Sequence, residues 1–304
     1  MLDRTIYTKI DESKCIGCGL CVKVCPSRTI TMKKGKASVT GKESISCGHC
    51  MAICPVNAIV VESIDKGTLQ FKTFNIENKC INFGEFDTAK LVELMLSRRS
   101  CRSFKDKEIP KEMIEDLIKI GISAPSGTNS QKWTFQIIHS RSNVIELTIR
   151  ISDFYKRLNK LAENFFLRKG LRLIGKNELD NYYNDYYEKV KEGLRDYEDN
   201  GKDILFHGAT SVILIGETPG ASCPSEDALL ASQNIMLAAH TMGLGSCLIG
   251  FAVESLKNDL ALRKFLKIKK DEKIYSVIAL GYPNITYKNF TGRKTPNIRY
   301  IRFE

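Results

Sequence analysis

The sequence predicts an α+β protein in two parts: a small cysteine-rich N-terminal unit, then a larger unit that mixes helices and strands. Three observations carry this. Seven of the 11 cysteines fall between Cys15 and Cys54. Beyond them, helix-period segments and short apolar runs follow one another without strict alternation. The length of 304 residues fits two domains at a soft prior of roughly 150 residues each.

The first ~75 residues hold the cysteine motifs, many Lys and Gly, and little helix periodicity. Thr29–Lys33 and Ala58–Glu62 alternate as short strands do. Phe74 to Asp87 has no clear period and reads as a linker, so the expected boundaries are 1–78 and 79–304. After it, Leu91, Leu94 and Met95 share one helical face. Pro110 suits a first helical turn, and Met113, Ile114, Leu117, Ile118 and Ile122 follow at helix spacing. Trp133–His139, Ser211–Gly216 and Tyr275–Gly281 read as strands, the first of them buried. Asp227–Met242 reads as a long helix, and a polar, Tyr-rich stretch about 152–202 as a helical insert.

The formal net charge is +11, but Lys and Arg are interleaved with Asp and Glu along the chain. Nucleic-acid binding would gather that charge on one face or tail, so the reading is a basic, solvated surface that can steer an acidic redox partner. No apolar run approaches the ~18 residues of a membrane span, and the first residues lack a signal peptide's apolar stretch. The expectation is a cytoplasmic protein with neither a nucleic-acid nor a membrane partner. In that setting crowded cysteines bind metal rather than form disulfides.

Cys15-x-x-Cys18-x-x-Cys21-x-x-x-Cys25-Pro26 has the full spacing of a bacterial ferredoxin motif. Gly17 and Gly19 let the backbone wrap closely, and Pro26 turns the chain. A second copy lies about 29 residues on, as Cys47-Gly-His-Cys50-Met-Ala-Ile-Cys54-Pro55, with Ser44 where its first Cys belongs. Zinc would want ligands in fours; seven cysteines fit two clusters with one ligand lost. Resemblance to two-cluster ferredoxins implies crossed ligation. One [4Fe-4S] cluster takes Cys15, Cys18, Cys21 and Cys54. The other takes Cys25, Cys47 and Cys50, with Ser44 in the vacant place. A serine oxygen is a harder donor than thiolate, so the second cluster is three-iron, serine-ligated or labile. His49 reads as a packing or surface residue.

Three further motifs follow. Ser97-Arg98-Arg99-Ser100-Cys101-Arg102 sets three arginines after a helix, which suits a phosphate; the alternative is a basic helix C-terminus favoured by the macrodipole. Ala124-Pro125-Ser126-Gly127-Thr128-Asn129-Ser130-Gln131-Lys132-Trp133 runs from turn residues into a strand. Gly243-Leu244-Gly245-Ser246 follows a helix and precedes an apolar run, the reverse of a dinucleotide fingerprint. Together these resemble the nitroreductase family from roughly Asp87 onward, apart from the insert.

The resemblance implies a nitroreductase-like α+β domain that binds FMN at a homodimer interface. Arg98, with Ser100 and the neighbouring Arg99, would meet the phosphate, joined by Arg293 and less directly Lys294. Arg102 would sit beside the ring and stabilise the reduced, anionic flavin. Pro125, Ser126, Gly127, Asn129 and Gln131 would reach the flavin from the partner subunit, with Lys132 departing from the family's Pro. Leu244 and Gly245 would set their backbone against it. Cys80, Cys101, Cys223 and Cys247 read as buried small hydrophobes.

The expected activity is electron flow from the iron–sulfur clusters to FMN and on to a small organic acceptor such as a nitroaromatic or quinone. The donor would be a redox protein or reduced nicotinamide. A flavin-fragmenting or dehalogenating relative and a pure electron-transfer module remain alternatives. No catalytic residue is named by the sequence.

Overall fold

Backbone pairing in the cysteine-rich unit begins with its two ends. In the computed structural model, which describes residues 3–303, β1 (Thr8–Ile10) pairs antiparallel with β4 (Ile59–Val61), Thr8 opposite Val61. Between them, β2 (Ile30–Lys33) and β3 (Lys36–Val39) form a hairpin. Its turn residues, Lys34 (φ 47°) and Gly35 (φ 76°), both have the positive φ that a two-residue turn between twisted strands requires. Each cysteine motif starts a short helix, α1 (Leu20–Val24) and α2 (His49–Ala52), after a left-handed glycine, Gly19 and Gly48. The core, with Ile30, Ala37, Ala58, Ile59 and Val61, is drawn from residues 7–64 alone.

The remaining chain folds on one antiparallel sheet in the order β5-β6-β8-β7. These are β5 (Trp133–His139), β6 (Ser211–Glu217), β7 (Gly245–Leu248) and β8 (Lys273–Gly281). Strands β6 and β8 sit centrally and are apolar on both faces, so each face needs helical cover. One face packs Ile213, Ile215 and Ile278 with Leu117 of α4 (Lys111–Gly121) and Ile235 of α9 (Pro224–Thr241). The other packs Val212, Leu214 and Val277 with Leu147 and Ile151 of α5 (Arg141–Glu163) and Leu256 of α10 (Gly250–Asn258). The helix α3 (Thr88–Ser97) is capped by Asp87, whose carboxylate accepts the Ala89 and Lys90 N–H groups. The helices α6 (Phe165–Leu173), α7 (Glu178–Asp185), α8 (Tyr187–Asn200) and α11 (Leu260–Phe265) complete the unit.

Several expectations need correction. Trp133–His139 is a strand, but it is an edge strand, and most of its side chains are only half-buried. Helix begins at Arg141, ahead of the stretch read as a helical insert. Cys101 and Cys247 are buried as expected, whereas Cys80 and Cys223 are exposed. Cys80 lies in the exposed linker, and Cys223 stands at the N-terminus of α9, so neither reaches a core. The strands β1 and β3 were too short to show a period.

A strap of chain joins the two units and is pinned to α4. The Asp116 carboxylate accepts the Lys72 N–H (2.9 Å), the Thr73 N–H (2.7 Å) and the Thr73 hydroxyl (2.7 Å). Burial pushes the Asp116 pKa up, but these donors outweigh it and hold the carboxyl below its ordinary value.

Strand β6 ends on a buried carboxyl. Glu217 is 2% exposed, and neither of its oxygens has a hydrogen-bond partner among the described residues. Burial, with the Asp227 carboxylate nearby, pushes its pKa from 4.5 up to about 7. The unfolded carboxyl ionises near 4.5 while the folded one keeps its proton up to about 7. The folded state therefore binds more protons over that range, and stability falls as pH rises through it. The loss is at most about 3 kcal/mol. Glu217→Gln should remove this component, so that urea denaturation shows the variant gaining on wild type between pH 5 and pH 8. Parallel pH profiles for the two would contradict the assignment.

Candidate functional site

The cysteine-rich unit encloses two small cavities, each of about 20 Å³. Cys15, Cys18, Cys21 and Cys54 line one. Cys25, Cys47, Cys50 and Ser44 line the other. The two halves are built alike: Cys25 Sγ accepts the Thr29 N–H at 3.3 Å, and Cys54 Sγ accepts the Ala58 N–H at 3.2 Å, four residues on in both cases. Such donors favour thiolate. The Ala37 and Gly17 N–H groups hold the Cys15 thiol below its ordinary value. At Cys25 burial pushes the pKa up, but the Thr29 N–H and hydroxyl outweigh it. Among the described residues, no three His, Cys, Asp or Glu side chains form a single-ion site. The sulfurs instead line the two cavities. Ser44 is buried, and its Oγ accepts the Ser46 N–H at 3.0 Å. His49 is exposed, with Nδ1 2.7 Å from Cys47 Sγ.

The arginine motif lies where α3 ends and the chain meets the edge of the sheet. Ser100 bridges to Ser246 in parallel, and the Cys101 N–H donates to the Ser246 carbonyl at 2.9 Å. A Cβ on Gly245 would lie 2.7 Å from Cys101 Sγ, so this close approach needs glycine. Burial pushes the Cys247 thiol up, while Arg102, the Ser100 hydroxyl and Arg98 oppose that shift. The Arg99 and Arg293 guanidinium groups both donate to the Thr291 hydroxyl. Thus Arg98, Arg99, Ser100, Arg102, Leu244, Gly245 and Arg293 come together. A cavity of about 450 Å³ opens beside them, lined by Arg99, Cys101, His240, Leu244, Gly245 and Phe290. Among the described residues, no hydrogen bond or ion pair joins Lys294 to the cluster. His207 was not anticipated: Arg102 lies near it, and burial lowers its pKa. A lone His before a strand carries no motif that would have revealed it.

The Pro-Ser loop is a separate structure. Thr128 (φ 52°), Asn129 (φ 56°) and Gln131 (φ 46°) all sit in the left-handed region, at roughly 1–2 kcal/mol each. Asp227 holds them there: its carboxylate accepts the Gly127 N–H at 2.9 Å and the Ser130 hydroxyl at 3.3 Å. A Cβ on Gly127 would lie 2.9 Å from Cys223 Sγ, so the loop packs against the α9 N-terminus only with glycine there. The Ser126 hydroxyl accepts the Gln131 N–H, and the Gln131 amide donates to Asn129 Oδ1. Asn129 Nδ2 in turn donates to the Ile45 carbonyl (2.9 Å) and the Ser46 carbonyl (3.2 Å), between Ser44 and Cys47. Lys132, in place of a proline, leaves the strand path intact, with its carbonyl accepting the Thr218 N–H at 3.0 Å.

Within one chain the two groups lie at diagonal corners of the sheet. The loop enters edge strand β5 at Trp133, two strands away from Lys273 at the start of β8. Gly245 opens the other edge strand, opposite Gly281 at the end of β8. Three strand spacings are about 14 Å, and eight residues along β8 about 26 Å. The helix α9 runs the same way: Asp227 is in its first turn, and Leu244 caps its far end through the Ala239 carbonyl. Asp227 to Thr241 spans about 21 Å.

An antiparallel α+β sheet domain joined to a two-motif cysteine unit is the architecture of an iron–sulfur flavoprotein oxidoreductase. Residues 95–282 match the family model described as the nitroreductase family, and the chain belongs to that family. Residues 7–62 match a 4Fe-4S dicluster domain. A 4-nitrobenzoate reductase of Nocardioides sp. is 24% identical over 228 residues, which cover 69% of this chain and 88% of that protein. An iodotyrosine deiodinase of Haliscomenobacter hydrossis is 37% identical over 200 residues, 64% of this chain and 80% of that protein. A nitroreductase with bound FMN from Bacteroides fragilis shares the fold at a TM-score of 0.52 and 22% identity, covering 69% of this chain and 99% of that one. No helix among the described residues is long and apolar enough to cross a membrane.

The second cysteine cavity yields a direct test. Ser44 already lines it, and thiolate suits iron–sulfur sites better than a hydroxyl does. Ser44→Cys should raise the iron content of anaerobically purified protein and change its low-temperature EPR spectrum. Wild type with two equally stable four-iron clusters, and no change on substitution, would show that Ser44 does not limit the second cluster.

Proposed function

We propose that this chain is an FMN-dependent oxidoreductase that passes electrons from its iron–sulfur unit to FMN and on to a small organic acceptor, such as a nitroaromatic or quinone. The observation that carries the reading is the hydrogen bonding of Asn129 to the Ile45 and Ser46 carbonyls, which seats the second cysteine cavity against the Pro-Ser loop. The iron–sulfur unit is taken as 1–78 and the flavin unit as 79–304. Bound FMN supplies a group that exchanges either one or two electrons, and so couples single-electron carriers to two-electron chemistry.

The chain's own residues divide the remaining work. Arg98, Arg99 and Arg293, with the Ser100 hydroxyl, hold the phosphate by charge-assisted hydrogen bonds. Arg102 places a cation beside the ring and favours its reduced, anionic form. Leu244 and Gly245 present backbone to the flavin, because Gly245 lets the strand approach Cys101 so closely. Pro125, Ser126, Gly127, Asn129 and Gln131 form the opposing wall. Cys15, Cys18, Cys21 and Cys54 ligate one cluster; Cys25, Cys47 and Cys50 ligate the second.

A homodimer completes the pocket. Leu91, Val92 and Met95 of α3 are exposed, as are Tyr300, Ile301 and Phe303 of the irregular C-terminal segment. Apolar side chains grouped in this way mark surfaces that another chain covers. A second reading, reductive dehalogenation, is favoured by relatives named iodotyrosine deiodinase, including the one at 37% identity. Halide release from a halogenated phenol, set against reduction of a nitroaromatic, separates the two.

Anaerobically purified protein should contain FMN, iron and acid-labile sulfide; zinc without sulfide would overturn the reading. Arg98→Ala should keep the fold and weaken FMN binding by about 1.5–3 kcal/mol, roughly 10- to 100-fold in Kd. Unchanged affinity in a fluorescence titration would place the phosphate elsewhere.

A further inference from the structure

The proposed electron path leaves open which cluster domain serves which flavin. The arginine group and the Pro-Ser loop stand at diagonal corners of one chain's sheet, and at opposite ends of α9. The cavity beside the arginines includes no residue of the loop. The cavity at the junction of loop and cysteine unit, lined by Arg4, Ile45, Ser46, Asn129 and Gln131, includes none of Arg98, Arg99, Arg102 and Arg293. A single flavin touching both groups must therefore draw them from two copies of the chain. Asn129 meanwhile ties the loop to Ile45 and Ser46 of its own cysteine unit.

We propose that electrons cross the dimer in trans: the second cysteine site of one copy serves the flavin whose phosphate the arginines of the other copy hold. This rests on the flavin roles assigned above. The cysteine site in question is the one lined by Cys25, Cys47, Cys50 and Ser44, since its loop carries the Asn129 contact. Among the described residues the Cys15, Cys18, Cys21 and Cys54 site has no such tie to the loop, and it serves as the earlier relay. In the transfer, the reduced cluster unit gives up two electrons in successive one-electron steps. FMN takes up both, with one proton from solvent. A low-potential one-electron reductant, dithionite in the test, restores the clusters.

Mixed dimers of differently tagged full-length chains decide the question. One chain carries Cys47→Ser and Cys50→Ser, and its partner carries Arg98→Ala. With FMN held between the two dissociation constants, it fills mainly the arginine site of the cysteine-altered chain, against the loop and intact cysteines of the other. Transfer in trans predicts that dithionite bleaches this flavin at the wild-type rate, and that its emission stays quenched by the nearby cluster. In the reciprocal dimer all three substitutions sit in one chain beside a wild-type partner. The fast bleaching phase should then be lost and the emission should rise. The opposite pattern in the two dimers would establish transfer within one chain and overturn the proposal.

If the cysteine changes unfold the N-terminal unit, Asn129→Ala replaces them in both pairings; it releases the Ile45–Ser46 loop and keeps every cysteine. Because Asn129 also stands in the flavin wall, rates and emission are compared at equal bound FMN, measured in each dimer after removal of free flavin. Its predicted pattern is the same. Wild-type dimers whose reduced clusters leave the flavin oxidised would overturn the electron path itself, and the trans route with it. Rapid reduction in wild type with the opposite mixed-dimer pattern would overturn the trans route alone.

Discussion

Much of the arrangement hangs on one buried carboxylate. Asp227 is 1% exposed and spends its charge on the Gly127 N–H and the Ser130 hydroxyl. Without it, a loop with three non-glycine residues in left-handed conformation would have little reason to keep that shape. With it, Asn129 is aimed at the cysteine unit, and α9 begins where the loop ends. The same charge helps to keep the Glu217 carboxyl protonated toward neutral pH. Donors surround the Asp227 carboxylate, whereas none reaches Glu217 among the described residues, and burial leaves that carboxyl protonated toward neutral pH.

The far end of α9 carries the opposite electrostatics. Arg98, Arg99, Arg102 and Arg293 gather where α3 and the C-terminal segment meet the sheet edge, which suits a dianionic phosphate. Two glycines set the tolerances at the two ends: Gly127 against Cys223, and Gly245 against Cys101. At both places a side chain would push apart the elements that meet there. The sheet thus works as a rigid spacer, and its diagonal fixes how far apart the loop and the arginine group stand within a chain.

The sequence spoke clearly wherever chemistry is local. Cysteine spacing is set by how a short loop wraps a cluster, so the two groups of cysteines that line the cavities, with Ser44 beside the second, were legible. The helices α3, α4 and α9 were legible because each has a marked cap or a long apolar period. What stayed hidden depends on distant chain. The strand Trp133–His139 is apolar in composition, but its place at the sheet edge follows from which strands pair. Cys80 and Cys223 look like Cys101 and Cys247 in sequence; only packing separates exposed from buried. Glu217 gave no signal because its burial comes from the elements around β6. The Asn129 contact joins residues more than 80 positions apart, beyond the reach of any motif.

The pairing of β1 with β4 bears on the history of the chain as well as its stability. Because Thr8 lies opposite Val61, the cysteine unit closes on itself and its ends leave side by side. Its core draws on nothing outside residues 7–64. A cassette of that kind can be spliced ahead of a flavin-binding sheet without rerouting any strand. Only a short strap and one receptive loop have to be adapted. On the proposed electron path, such a graft is a wiring problem rather than a folding problem.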